Sequence, residues 1–569
     1  MRRGIALLLL LAAAEQQGVA VDGAVAGGAA RRSRASCAAL ASAALGANVS
    51  VLSAAEAVAT AYQRNDTVPY CLVKLLGKPA IHIWVGLPMG GFYNGRLQVT
   101  GGSGYAGSIK QYEIDRAVFS GYIGAATDTG HVDPDVGPQH TVASGAFGML
   151  RPGVPNTQLQ VDYAWRSEHM MAVVSKQLAV AFYGSKPTYS YWNGCSTGGR
   201  QGLEMAQRYP DDFDGIVAGS SAAHMDKFKA FNIWVHLAMR LENAGETVAV
   251  SKLTAVTNAS IAACDAMDGV VDNMLRDPRA CKYDARELLC KPSDRNTSAC
   301  LTPGEAAAVN QMWGGARNEE KDLLWYGLQR GAKLAGGIPP GLATGDAPVA
   351  GALAQPMYWI YLDPDWDWRN LSYSNFERFF DDGVRAVGPM LATDDADLSA
   401  FRDSGAKLIM YHGWADELIV PQGSVDYYDE VVRTVGKGDL QQVQDFARLF
   451  MVPGMGHCGG GAMQFLSEIE PSYLSPLQAL QRWVENGTAP DRLIAHQPPH
   501  NPDHRVRPGV IYNLTRPTCP HPAVAVYKGQ GSIKEEASFV CGENIVGDDE
   551  NANRVANEKL IGAPFFRPT

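Results

Sequence analysis

The segment 188–222, TYSYWNGCSTGGRQGLEMAQRYPDDFDGIVAGSSA, constrains the fold more than any other part of the chain. Aromatic and apolar residues of strand type run into Gly194-Cys195-Ser196-Thr197-Gly198. A helix-forming run over 200–208 follows, Pro210 stops it, and 215–218 reads as the next strand. Strand, tight turn and helix is the setting in which G-x-S-x-G becomes a nucleophile elbow. The glycines let the backbone turn where a Cβ would clash, and the helix N-terminus behind the serine favours developing negative charge. The pattern is short and its residues are common, so an ordinary βα turn is the competing reading.

Two later segments weigh against that alternative. In KLIMYHGWADELIVP (407–421) a buried strand leads to a loop carrying Asp416, and in RLFMVPGMGHC (448–458) another strand leads to a glycine-rich loop carrying His457. Ser196, Asp416 and His457 follow one another in the chain order of α/β hydrolases, each just after a strand. A serine hydroxyl needs a base to take its proton. Neutral imidazole does so near pH 7, and a carboxylate fixes the imidazole tautomer and balances its cation. Cys195 precedes Ser196 and Cys458 follows His457. A bridge between those cysteines, with Cα atoms about 5–6 Å apart, would pin serine and histidine together.

With these motifs the chain resembles the tannase and feruloyl esterase family of secreted hydrolases. The resemblance runs from about Leu87 to Cys541 through LPMGGFYNGRLQVTGGSGYAG, NGCSTGGRQGLEMAQRYPDDFDGIVAG, CDAMDGVVDNMLRDPRAC, HGWADELIVP, PGMGHC and RPTCPHPAVAVYKGQGS. It implies an α/β-hydrolase fold with a large inserted lid. It also implies an acyl-enzyme mechanism on Ser196, His457 and Asp416, and phenolic acyl groups: ferulic or p-coumaric esters of plant cell walls, or gallic esters of tannins. Neighbourhood and the family pattern together pair the ten cysteines as Cys195–Cys458, Cys264–Cys281, Cys290–Cys300, Cys519–Cys541 and Cys37–Cys71. The glycine-rich loop Gly101-Gly102-Ser103-Gly104 follows an early strand, where this fold places one oxyanion donor. The N–H groups of Gly102 and Thr197 are assigned to the hole, with Gly101 the alternative to Gly102, because Ser103 stands where family members often have glycine.

In CDAMDGVVDNM three carboxylates crowd a glycine-containing turn, which suits an oxygen-liganded Ca²⁺ better than zinc. The resemblance implies a structural calcium site in the lid, with carboxylates from Asp265, Asp268 and Asp272 and backbone carbonyls from Val270 and Met274. A solvated acidic turn is the alternative. No organic cofactor is expected.

The chain order predicts a signal peptide at 1–20, cleaved near Val19-Ala20 or Val25-Ala26, because Met1-Arg2-Arg3 precedes an apolar run too short to span a membrane. A first catalytic part is expected over 27–222, opening with alanine-rich short helices up to about Leu76. The lid is expected over 223–400, the second catalytic part over 401–541 and a polar tail over 542–569. Strands are predicted at 81–88, 96–100 and 121–126, and a helix at 162–180. Phe231, Trp234, Tyr358, Trp359, Trp366 and Trp368 are either a clasp for an aromatic acyl group or lid core, with core favoured for any single one, and Asp128 and His131 are read as structural. Sequons at Asn48, Asn65, Asn258, Asn296, Asn370, Asn486 and Asn513 fit a glycosylated secreted protein. A net charge of −10 without a basic run argues against nucleic acid. No membrane partner is expected, and sequence leaves the oligomeric state open. Rival readings are a peptidase or lipase on the same triad, a silent hydrolase-like binding module, and a metal-dependent hydrolase using the acidic turn.

Overall fold

Short apolar runs recur wherever the chain has to cross a sheet buried on both faces. In the computed structural model, which describes residues 35–60, 66–105, 107, 109–131, 145–336, 341–465, 474–497 and 514–544, these runs build one nine-stranded sheet. Its strands are β1 (Val49–Thr60), β2 (Thr67–Gly77), β3 (Ile81–Pro88), β4 (Arg96–Thr100), β5 (Ile123–Thr127), β6 (Tyr189–Cys195), β7 (Gly215–Gly219), β8 (Lys407–Gly413) and β9 (Ala447–Val452). The order is β1-β2-β3-β5-β4-β6-β7-β8-β9. β1, β2, β3 and β5 pair antiparallel in succession, and every pairing from β5 to β9 is parallel. All five residues of β7 are buried, which is why GIVAG shows no alternation.

The principal helices are α1 (Gln111–Phe119), α2 (Ser167–Tyr183), α3 (Thr197–Arg208), α4 (Met225–Glu242), α5 (Val250–Cys264), α6 (Pro303–Gly314), α7 (Tyr373–Leu391), α8 (Gln422–Thr434) and α9 (Pro476–Asn486). One sheet face packs Leu97, Val99, Trp192, Ile216 and Leu408 against α2, α3 and α8 through Leu178, Phe182, Leu203 and Tyr428. The other packs Tyr191, Val217, Ile409 and Phe450 against α9 through Leu480 and Trp483.

The opening segment corrects the sequence reading. Instead of short helices it forms one 3-10 turn, Cys37–Ser42, and then the β1–β2 hairpin. Alanine favours helix only weakly. Here β-branched residues such as Val49, Val51, Thr67, Val68 and Val73 line two strands that extend the sheet beyond β3, and tertiary pairing overrides propensity. The predicted strands at 81–88 and 96–100 coincide with β3 and β4, while the one predicted at 121–126 forms two residues later, as Ile123–Thr127. The helix predicted over 162–180 begins with one π turn, Asp162–Arg166, before α2.

Between β7 and β8 the chain leaves the sheet and builds α4 to α7 around its own core, in which Phe231, Trp234, Trp359 and Trp368 are buried. Tyr358 and Trp366 pack against that core partly buried. The insertion departs and returns through one stem: His224 bridges Ala392, and the Thr393 N–H donates to the Ala223 carbonyl at 2.8 Å. Its core also takes in Tyr105, Tyr163, Ile419 and Val420, so it is seated on the loops that follow β4 and β8. Five disulfides join Cys37–Cys71, Cys195–Cys458, Cys264–Cys281, Cys290–Cys300 and Cys519–Cys541, the pairing implied by the family pattern. Among the described residues no helix is long and apolar enough to cross a membrane. The segment 1–20, both expected cleavage positions, Asn65, Asn513 and most of the tail lie outside the described residues. The other sequon asparagines, Asn48, Asn258, Asn296, Asn370 and Asn486, are all exposed.

Candidate active site

The elbow sits between β6 and α3. Ser196 adopts φ 64°, ψ −124°, a left-handed conformation that side chains rarely take. Close packing enforces it. A Cβ on Gly194 would lie 2.4 Å from the Gly198 carbonyl oxygen, and one on Gly101 would lie 2.3 Å from the Gly198 Cα. A side chain at Gly194 would push the end of β6 from the start of α3, and one at Gly101 would push the β4 loop from the elbow.

The loops after β8 and β9 bring the other two residues to the serine. The Ser196 Oγ–H donates to His457 Nε2 at 2.9 Å, and His457 Nδ1–H donates to Asp416 Oδ2 at 2.9 Å. Asp416 is fully buried. Its Oδ1 accepts the N–H groups of Leu418 and Ile419, each at 2.9 Å. Burial alone would raise the Asp416 carboxyl, but the His457 and His412 imidazoles hold it well below the usual carboxylate range. Burial works against the His457 cation, yet Asp416, by charge and hydrogen bond, and then Glu417 raise its pKa above the ordinary 6.5. Cys195–Cys458 holds Cα atoms of neighbouring residues 5.9 Å apart. The cross-link thus ties the serine loop to the histidine loop over a sequence separation of 263 residues. Such an arrangement can make an oxygen nucleophile: the imidazole takes the serine proton and the buried carboxylate balances the resulting cation.

Three contributors escaped the sequence reading. His412 lies on β8, four residues before Asp416, and its Nε2–H donates to Asp416 Oδ2 and to the Ile419 carbonyl, each at 3.0 Å. The Ser424 hydroxyl donates to its Nδ1 at 2.8 Å, which fixes that tautomer. Glu417 accepts the His457 backbone N–H at 3.3 Å. Gln201 on α3 supports the β4 loop. The His-x-x-x-Asp spacing in HGWAD was the one available signal for His412; nothing in the sequence marked Gln201.

Gln201 also corrects an oxyanion assignment. The Gly102 N–H donates to Gln201 Oε1 at 2.8 Å and is therefore committed to α3. Gln201 Nε2 in turn donates to Glu168, a buried carboxyl that desolvation pushes up to about 7. The β4 loop is fastened to the elbow on both sides of Ser103: the Gly198 N–H donates to the Gly102 carbonyl at 3.0 Å, and Thr197 Oγ1 donates to the Gly104 carbonyl at 2.9 Å. The N–H groups of Thr197 and Ser103 have no hydrogen-bond acceptor among the described residues. Asp128, read as structural, accepts from His82 Nδ1 at 2.7 Å, and the His131 ring, read likewise, stacks on Phe147 with centroids 3.6 Å apart.

The acidic turn has the oxygen chemistry of a hard cation site, but its carboxylates are turned onto the protein. Asp265 accepts the N–H groups of Asp272, Asn273 and Met274, Asp268 accepts that of Val270, and Asp272 accepts those of Met274 and the Arg516 guanidinium. Among the described residues no three acidic, histidine or cysteine side chains are gathered closely enough to hold an ion.

Sheet order, elbow and the hydrogen-bonded Ser–His–Asp chain define an α/β hydrolase. The sequence model of the tannase and feruloyl esterase family matches residues 71–542. The chain is 32% identical over 492 residues to a protein of Arthroderma benhamiae named "Probable feruloyl esterase", covering 84% of this chain and 87% of that protein. Feruloyl esterase B from Aspergillus oryzae superposes with a TM-score of 0.75 at 26% identity, over 89% of this chain and 99% of that one. The tannin acyl hydrolase of Aspergillus niger shares the fold, with a TM-score of 0.71 at 20% identity over 88% and 92%. The chain belongs to the tannase and feruloyl esterase family and is a carboxylic ester hydrolase.

His457 sets the expected pH dependence. Its imidazole is a base only when neutral, and Asp416 stabilises the cation, so the proton is lost at a pH above 6.5. A profile of kcat/KM on a neutral ester should climb with pH and reach half its plateau above that value. A half-plateau clearly below it would mean that the Asp416 charge does not reach the titrating group.

Proposed function

We propose that this chain is a secreted serine esterase that releases a phenolic acid (ferulic or p-coumaric acid from cell-wall esters, or gallic acid from tannins) through an acyl-enzyme. The observation that carries the reading is the Ser196–His457–Asp416 relay, with both links at 2.9 Å and both loops tied by Cys195–Cys458. Ser196 Oγ attacks the ester carbonyl while His457 takes its proton. Asp416 holds the imidazole and balances its charge. The Thr197 N–H, with Ser103 in place of Gly102, faces the developing oxyanion; one such donor contributes about 3–4 kcal/mol to lowering the barrier. His457 then returns the proton to the departing alcohol, and water, activated by the same imidazole, releases the acid. The insertion acts as a lid over the site, and its seating on the β4 and β8 loops supports that role. Phenolic substrates rest on the names of the relatives, and secretion on the five disulfides and the charged and apolar N-terminal run. The test is hydrolysis of methyl ferulate, methyl p-coumarate and methyl gallate with chromatographic separation of the acids. Rank order chooses between feruloyl esterase and tannase, and no hydrolysis of any by folded protein overturns the phenolic reading.

The proposal includes a structural Ca²⁺ in the 264–281 turn, for which Asp265, Asp268 and Asp272 would have to turn from the backbone N–H groups and the Arg516 guanidinium that they accept, joined by the carbonyls of Val270 and Met274. Three carboxylates on one turn closed by Cys264–Cys281 support it. Binding at about a hundred times Kd would add roughly 2.7 kcal/mol of stability. Chelation by EGTA should accordingly lower Tm by about 2 °C, with Ca²⁺ restoring it. An unchanged Tm on both steps would remove calcium from the account.

A further inference from the structure

Helix α4 opens with two lysines that meet different environments. Lys227 Nζ lies 3.1 Å from Asp226 and 2.9 Å from Asp394, and His224 Nδ1 holds the same Asp394 at 3.0 Å. The carboxylates of the stem are thereby taken. Lys229 is only 8% exposed, and its ammonium has no carboxylate and no hydrogen-bond acceptor among the described residues. It lies 5.3 Å from the ring centroids of both Tyr105 and Phe228. Desolvation, with nothing opposing it, lowers its pKa to about 8.

Its position relates it to the reaction centre. Tyr105 follows Gly104, whose carbonyl accepts from Thr197 Oγ1 beside the nucleophile. The Lys229 charge is also felt at His457, where it opposes protonation. A lysine serving only as packing keeps its stem in the core and sends its head to water; here the head is kept over two aromatic rings. Cation–π contact recovers only part of what desolvating a charge costs, and an ammonium without a counter-charge in a largely buried side chain remains unfavourable until an anion meets it. Ammonium has three donors and no acceptor, so the ligand group that completes it is an oxygen acceptor carrying negative charge.

We propose that Lys229 is a specificity-determining residue of this site, selecting esters that carry a second, anionic group, a carboxylate on either the acid or the alcohol side of the scissile bond. This deepens the esterase reading and rests on it. The phenolic ring of the substrate occupies the acyl site, and the carboxylate pairs with Lys229.

The experiment uses the full chain and its Lys229→Met and Lys229→Gln variants with two matched pairs of esters. On the acid side, methyl 4-carboxycinnamate is compared with methyl 4-carbamoylcinnamate. On the alcohol side, cinnamoyl glycolate is compared with cinnamoyl glycolamide. The released acid is quantified by chromatography. The wild type should favour the anion in one pair by about tenfold or more in kcat/KM, carried by KM, as a charged hydrogen bond implies. The pair that discriminates identifies the side of the bond. In each variant the ratio within that pair should fall towards one, whatever the absolute rate. A wild-type ratio near one in both pairs overturns the proposal without any variant, as does a ratio that survives both substitutions. Failure of the wild type to hydrolyse any of the four, or methyl ferulate, would instead overturn the esterase reading, and this proposal with it.

Discussion

Replacing Ser196 with Ala is expected to lower kcat by about 10⁵–10⁶-fold while leaving the fold intact. The size follows from the geometry. Ser196 Oγ is the atom from which the relay starts, and its side-chain partner among the described residues is His457 Nε2 at 2.9 Å. Removing the oxygen deletes the nucleophile and leaves only oxyanion donors and substrate positioning, which in serine hydrolases retain a small residual acceleration. Stability should not fall. The strained backbone at φ 64° is imposed by the contacts of Gly194, Gly198 and Gly101, and alanine meets the same conformation. Steady-state rates and a denaturation curve on the same preparation check both halves. A variant that retains more than about a hundredth of wild-type kcat would mean that another group performs the attack.

Asp416→Asn should cost about 10⁴-fold in kcat with little change in KM. The carboxylate receives His457 on one oxygen and two backbone N–H groups on the other, so an amide fits the space but offers a donor where an acceptor is needed. The imidazole then takes the wrong tautomer and its cation loses its counter-charge. A second consequence follows with a defined sign. Asp416 raises the His457 pKa, so its neutralisation lowers that pKa, and the residual activity should reach half-plateau at a lower pH than in the wild type. His412 complicates this only slightly, because it still has the Ile419 carbonyl and the Ser424 hydroxyl as partners. A residual profile that does not move would show that the charge of Asp416 is not what tunes His457.

The relay was legible in the sequence because each of its residues follows a strand, and strands written as short apolar runs are visible without tertiary information. The cysteines beside Ser196 and His457 added a long-range distance, which sequence seldom supplies. What stayed hidden depends on packing between distant segments. The β1–β2 hairpin is held by pairing to β3 and by Cys37–Cys71, and its alanines read locally as helix. The commitment of the Gly102 N–H to Gln201 is set by how α3 seats against the β4 loop across 99 residues. The isolation of Lys229 becomes visible only when Lys227 and His224 are seen to occupy the nearby carboxylates. In the acidic turn the residue types were legible and the directions of their side chains were not. Its residues have the right chemistry for calcium, while their carboxylates face backbone N–H groups and Arg516.

In this mechanism Ser196 becomes covalently acylated. The most direct measurement is active-site labelling of the folded enzyme with a fluorophosphonate, followed by intact mass and peptide mapping. One adduct per chain is expected, located on Ser196, with esterase activity lost in proportion and no adduct on the Ser196→Ala variant. Label on a different residue, or full hydrolysis of methyl ferulate by protein that takes up no label, would contradict it.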